Sequence, residues 1–278
     1  MPDQNDQSLR VIRPGHGGIA FYFLRLWEYR ELLFFLVWRD LKVRYKQTAL
    51  GVAWAVLQPL ATMLVLSIFF GRLAKVPSDG VPYPIFVFCA LLPWQMFAFV
   101  LTESSNSLVS NQSLITKIYF PRLIVPIVPV LTALVDFAVA FSMMLGMMIF
   151  YGVVLKATIL LLPLFIGMAA LTALSVGVWL AALTAEYRDV RYTVPFLAQF
   201  WMFATPIAYS SSLVPGKWRL LYGLNPMVGV VEGFRWALLG TAPTSLTALF
   251  SSLGMVLVLL CGGLIYFRRL ESTFADVI

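Results

Sequence analysis

Five charged residues crowd the eight positions from Arg39 to Lys46, and the chain then carries none until Arg72. A basic segment running straight into about 20 apolar residues is the pattern of a helix entering a membrane with its charged flank on the cytoplasmic side. That junction, WRDLKVRYKQTALGVAWAVLQP (Trp38–Pro59), sets the direction of everything after it.

Composition agrees. Of 278 residues, 60% are hydrophobic and 12% charged, against about 45–50% and about 25% in soluble domains. The formal charge of +7 sits beside apolar runs, so it points to anionic lipid headgroups and away from nucleic acid. Cys89 and Cys261 each lie inside an apolar run and read as small buried hydrophobes. His16 is the single histidine, which excludes a histidine-based metal site or catalytic triad within the chain; no metal ligands are expected.

Residues 1–19 contain no apolar core, so they hold no cleavable leader and read as a disordered cytoplasmic tail. Residues 20–49 alternate rings with charges, and their longest uncharged stretch, Leu32–Trp38, covers only about 10 Å as a helix. Hydrocarbon is ~30 Å thick. The pattern predicts an amphipathic interface helix, with rings among the headgroups and cations snorkelling outward.

Residues 50–270 read as a transmembrane domain of six spans: Leu50–Phe70, Ile85–Thr102, one within the run Leu123–Leu155, Ala157–Leu183, Tyr192–Tyr209 and Leu246–Phe267. Residues 104–122 are polar and rich in Ser and Asn, and predict a short cytoplasmic helix ending in KIYFPR. Pro126 and Pro129 predict a bent lead-in to the third span. Asp136, inside that span, costs about 3 kcal/mol if it faces lipid, so it should face the bundle or a cavity. Residues 184–191 form a second charged cytoplasmic loop, and 271–278 a cytoplasmic tail.

The stretch 210–240 is different. Its apolar part, Met227–Leu239, is too short to cross and holds Glu232 and Arg235, three apart, which could pair on one helix face. With six spans, fourteen of the twenty Lys and Arg fall on the inner side; a seventh span would move Arg268 and Arg269 outward and weaken that asymmetry. The fold class is therefore an all-α polytopic membrane protein with six transmembrane helices, both termini inside. A re-entrant or interfacial helix pair precedes the last span and lines the outer end of a pathway.

No GxxxxGK[ST] phosphate loop occurs, so the chain binds no nucleotide that way. Acidic residues within spans are almost absent, which argues against a carrier driven by protons or sodium. A multispan protein with compact charged cytoplasmic elements and no energy source of its own needs a partner that supplies work.

The segments RYKQTALGVAWAVLQP (Arg44–Pro59), TKIYFPR (Thr116–Arg122), EYRDV (Glu186–Val190), TPIAY (Thr205–Tyr209) and LNP (Leu224–Pro226) stand in the order and spacing of a known family. Across residues 25–270 the chain resembles bacterial ABC-transporter permeases of the polysaccharide and polyol-phosphate export type, the membrane subunits of O-antigen, capsule and teichoic acid exporters. The resemblance implies a type-2 ABC exporter architecture in the inner membrane. It implies a homodimer with two separate ATPase subunits, ATP and Mg on those partners and no cofactor on this chain. The cargo would be a lipid-linked polysaccharide, with lipids as the surrounding partner. Contacts to the ATPase would come from Arg39, Asp40, Arg44 and Tyr45, from Lys117, Tyr119, Phe120 and Arg122, and from Glu186, Tyr187, Arg188 and Asp189.

Sugars stack their C–H faces on rings, so Trp54, Trp94, Phe97, Tyr209, Tyr222 and Trp236 are candidates for the channel wall, although rings at span ends also serve as interfacial anchors. Asn225, Glu232 and Arg235 are candidates for an outer gate. Rival readings are a drug or small-lipid efflux permease of the same architecture, and a membrane enzyme acting on lipid-linked sugars.

Overall fold

The computed structural model describes residues 26–46, 53–215, 218–241, 246–271 and 274, and among these there is no strand. The tail expected at 1–19 and most of 271–278 lie outside the described residues. Ten α-helices follow one another: α1 (Arg30–Lys46), α2 (Ala53–Leu66), α3 (Tyr83–Ser110), α4 (Gln112–Lys117), α5 (Ile124–Phe150), α6 (Leu162–Glu186), α7 (Val190–Ala204), α8 (Arg219–Gly223), α9 (Pro226–Leu239) and α10 (Leu246–Leu270). A π-helical turn, Ser67–Leu73, prolongs α2, and a 3₁₀ turn, Ala157–Leu161, leads into α6.

α3 is the hub. Its sequence is apolar on every side from Ile85 to Leu92, which suits a helix surrounded by others, and each of those residues is buried. α2, α5, α6, α7 and α9 all pack on it. Of its most apolar window 78% is buried, against 17% for α2 with its π turn and 22% for α10. The apolar outer faces of α2 and α10 are left for lipid or another chain.

Among the described residues, five helices are long and apolar enough to cross a membrane: Ala53–Leu73, Tyr83–Ser110, Ile124–Phe150, Ala157–Glu186 and Thr247–Leu270. The span expected at Tyr192–Tyr209 is instead the 15-residue α7, about 22 Å long. It stops at Thr205, which turns to an extended conformation.

The helix of the second span continues beyond the end expected at Thr102: α3 runs on to Ser110 and buries Ser104, Ser105 and Ser107. Their hydroxyls donate to the carbonyls of Pro126, Thr102 and Ser104 at 2.9, 2.7 and 2.7 Å, so the polar side chains bring their own partners and can continue a packed helix. Pro126 and Pro129, expected to bend the lead-in, both lie within α5, which is continuous from Ile124. Pro126 sits in the first turn, where its missing N–H costs nothing.

Close contacts fix the helices to one another. A Cβ on Gly177 of α6 would lie 2.9 Å from Ser104 of α3, and one on Gly233 of α9 only 2.2 Å from the Phe165 ring of α6. Small residues at such crossings let backbones approach without a hydrophobic driving force.

The bundle has two distinct ends. At the basal end α1 lies on α5, and Leu36, Phe120, Ile124, Val125, Ala185, Phe267 and Phe274 form a separate apolar cluster. Gathered around it are Arg39, Lys117, Arg122, Arg188, Arg268 and Arg269. The distal end carries the turn before α3, the link between α5 and α6, and residues 205–215 and 218–241. α1 is apolar on two sides: Leu32, Leu33 and Leu36 face the cluster, while Phe34, Phe35 and Trp38 are exposed.

Candidate functional site: a polar cavity with a basal lock and a distal cap

Between α2, α3, α5 and α7 lies a cavity of about 450 Å³. Gln58 and Thr62 of α2 are four apart and both line it. Gln95, Phe99, Thr102 and Glu103 of α3, and Ala133, Asp136 and Ala140 of α5, repeat the same helical spacing on the facing walls. Trp94 adds an indole edge. Most of these polar groups are uncharged, and the two carboxylates, Glu103 and Asp136, lie toward the basal end.

α1 closes that end. Arg44 donates to Asp136 Oδ2, Tyr45 donates to Asp136 Oδ1, and the Arg44 guanidinium lies 4.2 Å over the Phe99 ring. Asp136 is 12 residues into α5, about 18 Å along it, so the end of α1 reaches well up the bundle. Burial, and then the bond to Asp136, push the Tyr45 phenol above its ordinary value, which keeps it a donor. One helical turn nearer the start of α1, Arg39 pairs with Asp40 at 2.8 Å and donates to Asn111 Oδ1 at 2.9 Å.

The distal cap is built from TPIAY and LNP. The Asn225 side chain accepts from Met227 N at 3.1 Å, capping α9, and from Trp201 Nε1 at 3.0 Å. Its amide donates to Ala204 O and Thr205 Oγ1 at 3.2 and 3.1 Å. Arg235 is 3% exposed, donates to Ile207 O at 2.8 Å and Tyr209 O at 3.3 Å, and lies 3.5 Å over the Phe86 ring. Tyr83 donates to Ala208 O, and Tyr209 and Tyr222 share a hydroxyl contact of 2.9 Å. Gly240, at φ 66°, ends α9 in the left-handed region.

The structure redistributes the residues singled out above. Trp94 touches the cavity, but Phe97 is fully buried, edge-on to Trp201 at 5.0 Å, and is a core ring that cannot line a route. Trp54 points outward from α2 at 58% exposure. Tyr209 and Tyr222 belong to the distal cap, and Trp236 packs on Phe165. Glu232 and Arg235 form no ion pair, because Arg235 is turned into the carbonyls of the TPIAY turn.

Among the residues expected on a partner's surface, Lys117, Tyr119, Glu186, Tyr187, Arg188 and Asp189 are exposed, with Glu186 accepting from Tyr266 at 3.3 Å. Phe120 is buried, and Arg122 is half-buried against Glu271, which accepts from both its backbone and its side chain. Arg44 and Tyr45 are taken up by Asp136. Sequence reasoning missed Gln58, Thr62, Gln95, Thr102 and Glu103 on the cavity wall. Their signal was polar residues spaced by a helical turn within otherwise apolar runs.

Five membrane-length apolar helices among the described residues, three of them lining a cavity that carries amides, hydroxyls and two carboxylates, define a multi-pass membrane protein of the transporting kind. The chain belongs to the ABC-2 type transporter family, whose profile matches residues 31–239. It is 32% identical over 213 residues to the O-antigen export system permease protein RfbA of Myxococcus xanthus, covering 76% of this chain and 81% of that one. Over 250 residues it is 26% identical to RfbA of Klebsiella pneumoniae, covering 89% and 95% of the two chains. Over 206 residues it is 24% identical to the polysialic acid transport protein KpsM of Escherichia coli, covering 72% and 78%.

Proposed function

We propose that this chain is the membrane subunit of an ATP-driven exporter that carries a lipid-linked polysaccharide such as O-antigen across the bacterial inner membrane. The observation that carries the reading is the similarity to the Klebsiella O-antigen permease, which extends over 89% of this chain and 95% of that one. The cavity supports it: uncharged amides and hydroxyls beside an indole suit sugars, whose hydroxyls need modest polar partners and whose C–H faces pack on rings. A capsule exporter is the second reading, favoured by the likeness to the polysialic acid transporter.

In this reading the basal end is cytoplasmic, because the arginines and lysines concentrate there. Two copies enclose the route, and two separate ATPase subunits hold ATP and Mg. The ATPase grips Arg39 and Asp40 on α1, Lys117 and Tyr119 after α4, and Glu186, Tyr187, Arg188 and Asp189 between α6 and α7. Arg44, Tyr45, Phe120 and Arg122 are withdrawn from that surface, since their side chains are engaged within the chain. Closure of the ATPases would rock these elements between discrete states.

The test is deletion of the gene in its own organism. Loss of surface polysaccharide, with lipid-linked polymer retained inside the cell, supports the reading; unchanged surface polymer refutes it. A cysteine at exposed Lys75 should react with an impermeant maleimide in intact cells, and labelling only after lysis would overturn the orientation.

A further inference from the structure

We infer that Asp136 is the positioning residue for α1, and that its pairing with Arg44 and Tyr45 is a latch closing the basal end of the cavity. The inference rests on the exporter reading for its purpose but not for its test. Three observations meet here. Asp136, Phe99 and Glu103 are cavity wall. Arg44 binds the first and lies over the second, so the end of α1 is packed against that wall. The same helix carries Arg39 and Asp40, partly exposed, less than two turns away.

The chemistry explains why such a pair suits a latch. Ion pairs in a low-dielectric setting contribute little net stability, because desolvation offsets their attraction, and an apolar replacement is often neutral or better. A carboxylate kept inside an apolar helix therefore implies a use beyond holding the fold. What the pair supplies is a geometrically specific contact that can be exchanged for another. When α1 is drawn away from α5, Asp136 and Glu103 are uncovered at the mouth of the cavity, and Arg44 is free to follow the helix. The cavity is then open from the basal side. When α1 returns, the two donors re-form their bonds and seal it.

Gln95 lies about one helical turn beyond Phe99, on the cavity side of the latch. It reports whether the latch is closed. The experiment uses inside-out vesicles holding the assembled transporter with its ATPase. The chain carries Gln95→Cys and has exposed Cys261 replaced by serine, while buried Cys89 stays. Reaction with a membrane-impermeant maleimide should be slow without nucleotide and faster with ATP by roughly 5-fold or more, the scale of ordinary conformational coupling. Asp136→Asn should react fast without ATP. The exchanged pair Arg44→Asp with Asp136→Arg should restore slow labelling.

Equal rates in all four conditions would overturn the inference, as would slow labelling of Asp136→Asn. If Asp136→Asn fails to reach the membrane, Arg44→Gln, which leaves the carboxylate on α5, should give the fast rate, and a slow rate there counts equally against the latch. The readout involves no polymer, so a failed latch is distinguishable from a mistaken cargo.

Discussion

Arg44 and Arg235 are both arginines placed deep in an apolar bundle, and the two ends of the molecule hold them differently. Arg44 keeps 31% of its side chain exposed and meets a ring and a carboxylate to which Tyr45 also donates. Arg235 is 3% exposed and meets two backbone carbonyls and a ring, with no ion pair to a described carboxylate. Carbonyls of a tight turn cannot leave without unfolding the turn, whereas a carboxylate on a neighbouring helix can be left by moving one helix. The distal arginine is thus part of the fabric, and the basal one is part of a contact that can open.

Substitutions separate the two roles. The largest effect is expected from Arg235→Met: it orphans the carbonyls of Ile207 and Tyr209 and should cost about 3 kcal/mol, read as a lowered unfolding temperature in detergent. Arg235→Lys keeps the charge but loses the fork that reaches both carbonyls, and should fall between. Gly233→Ala comes next, at about 2 kcal/mol, because the new methyl meets the Phe165 ring and the core there has no room to yield. Arg44→Gln leaves the Asp136 carboxylate an amide donor and the Tyr45 hydroxyl, so it should cost about 1 kcal/mol, less than Arg235→Met, while changing the behaviour of α1. If it destabilises as much as Arg235→Met, the contrast between fabric and latch fails. Arg39→Ala should leave stability within about 0.5 kcal/mol, yet reduce recovery of the ATPase with the purified chain; unchanged recovery would remove Arg39 from the gripping surface.

Much of the fold was legible because bilayer thickness turns composition into length. Five of the six apolar runs became helices of spanning length, and the impossibility of crossing with Met227–Leu239 correctly marked α9 as short. Asp136 was legible too, as a residue that must face inward. Its partners were not, since Arg44 and Tyr45 lie 92 and 91 residues away and no local pattern links them. Helical spacing was right over Ser104–Ser110, but the burial of its serines was not legible, because serine polarity reads as solvent exposure until its hydroxyls are seen to bond to carbonyls of their own helix and of α5. Phe97 was misplaced for a related reason: it and Trp54 carry similar chemistry in sequence, and only packing puts one in the core and the other outside.

The meeting of Gly233 with Phe165 has a consequence for how force travels. A bare backbone seated against a broad ring behaves as a keyed joint, which neither slides nor twists without being lifted apart. Torque applied at the Glu186 end of α6 must therefore arrive at α9 without slippage, and the segment that caps the far side of the bundle swings as a single piece with the helix whose other end the motor is proposed to touch.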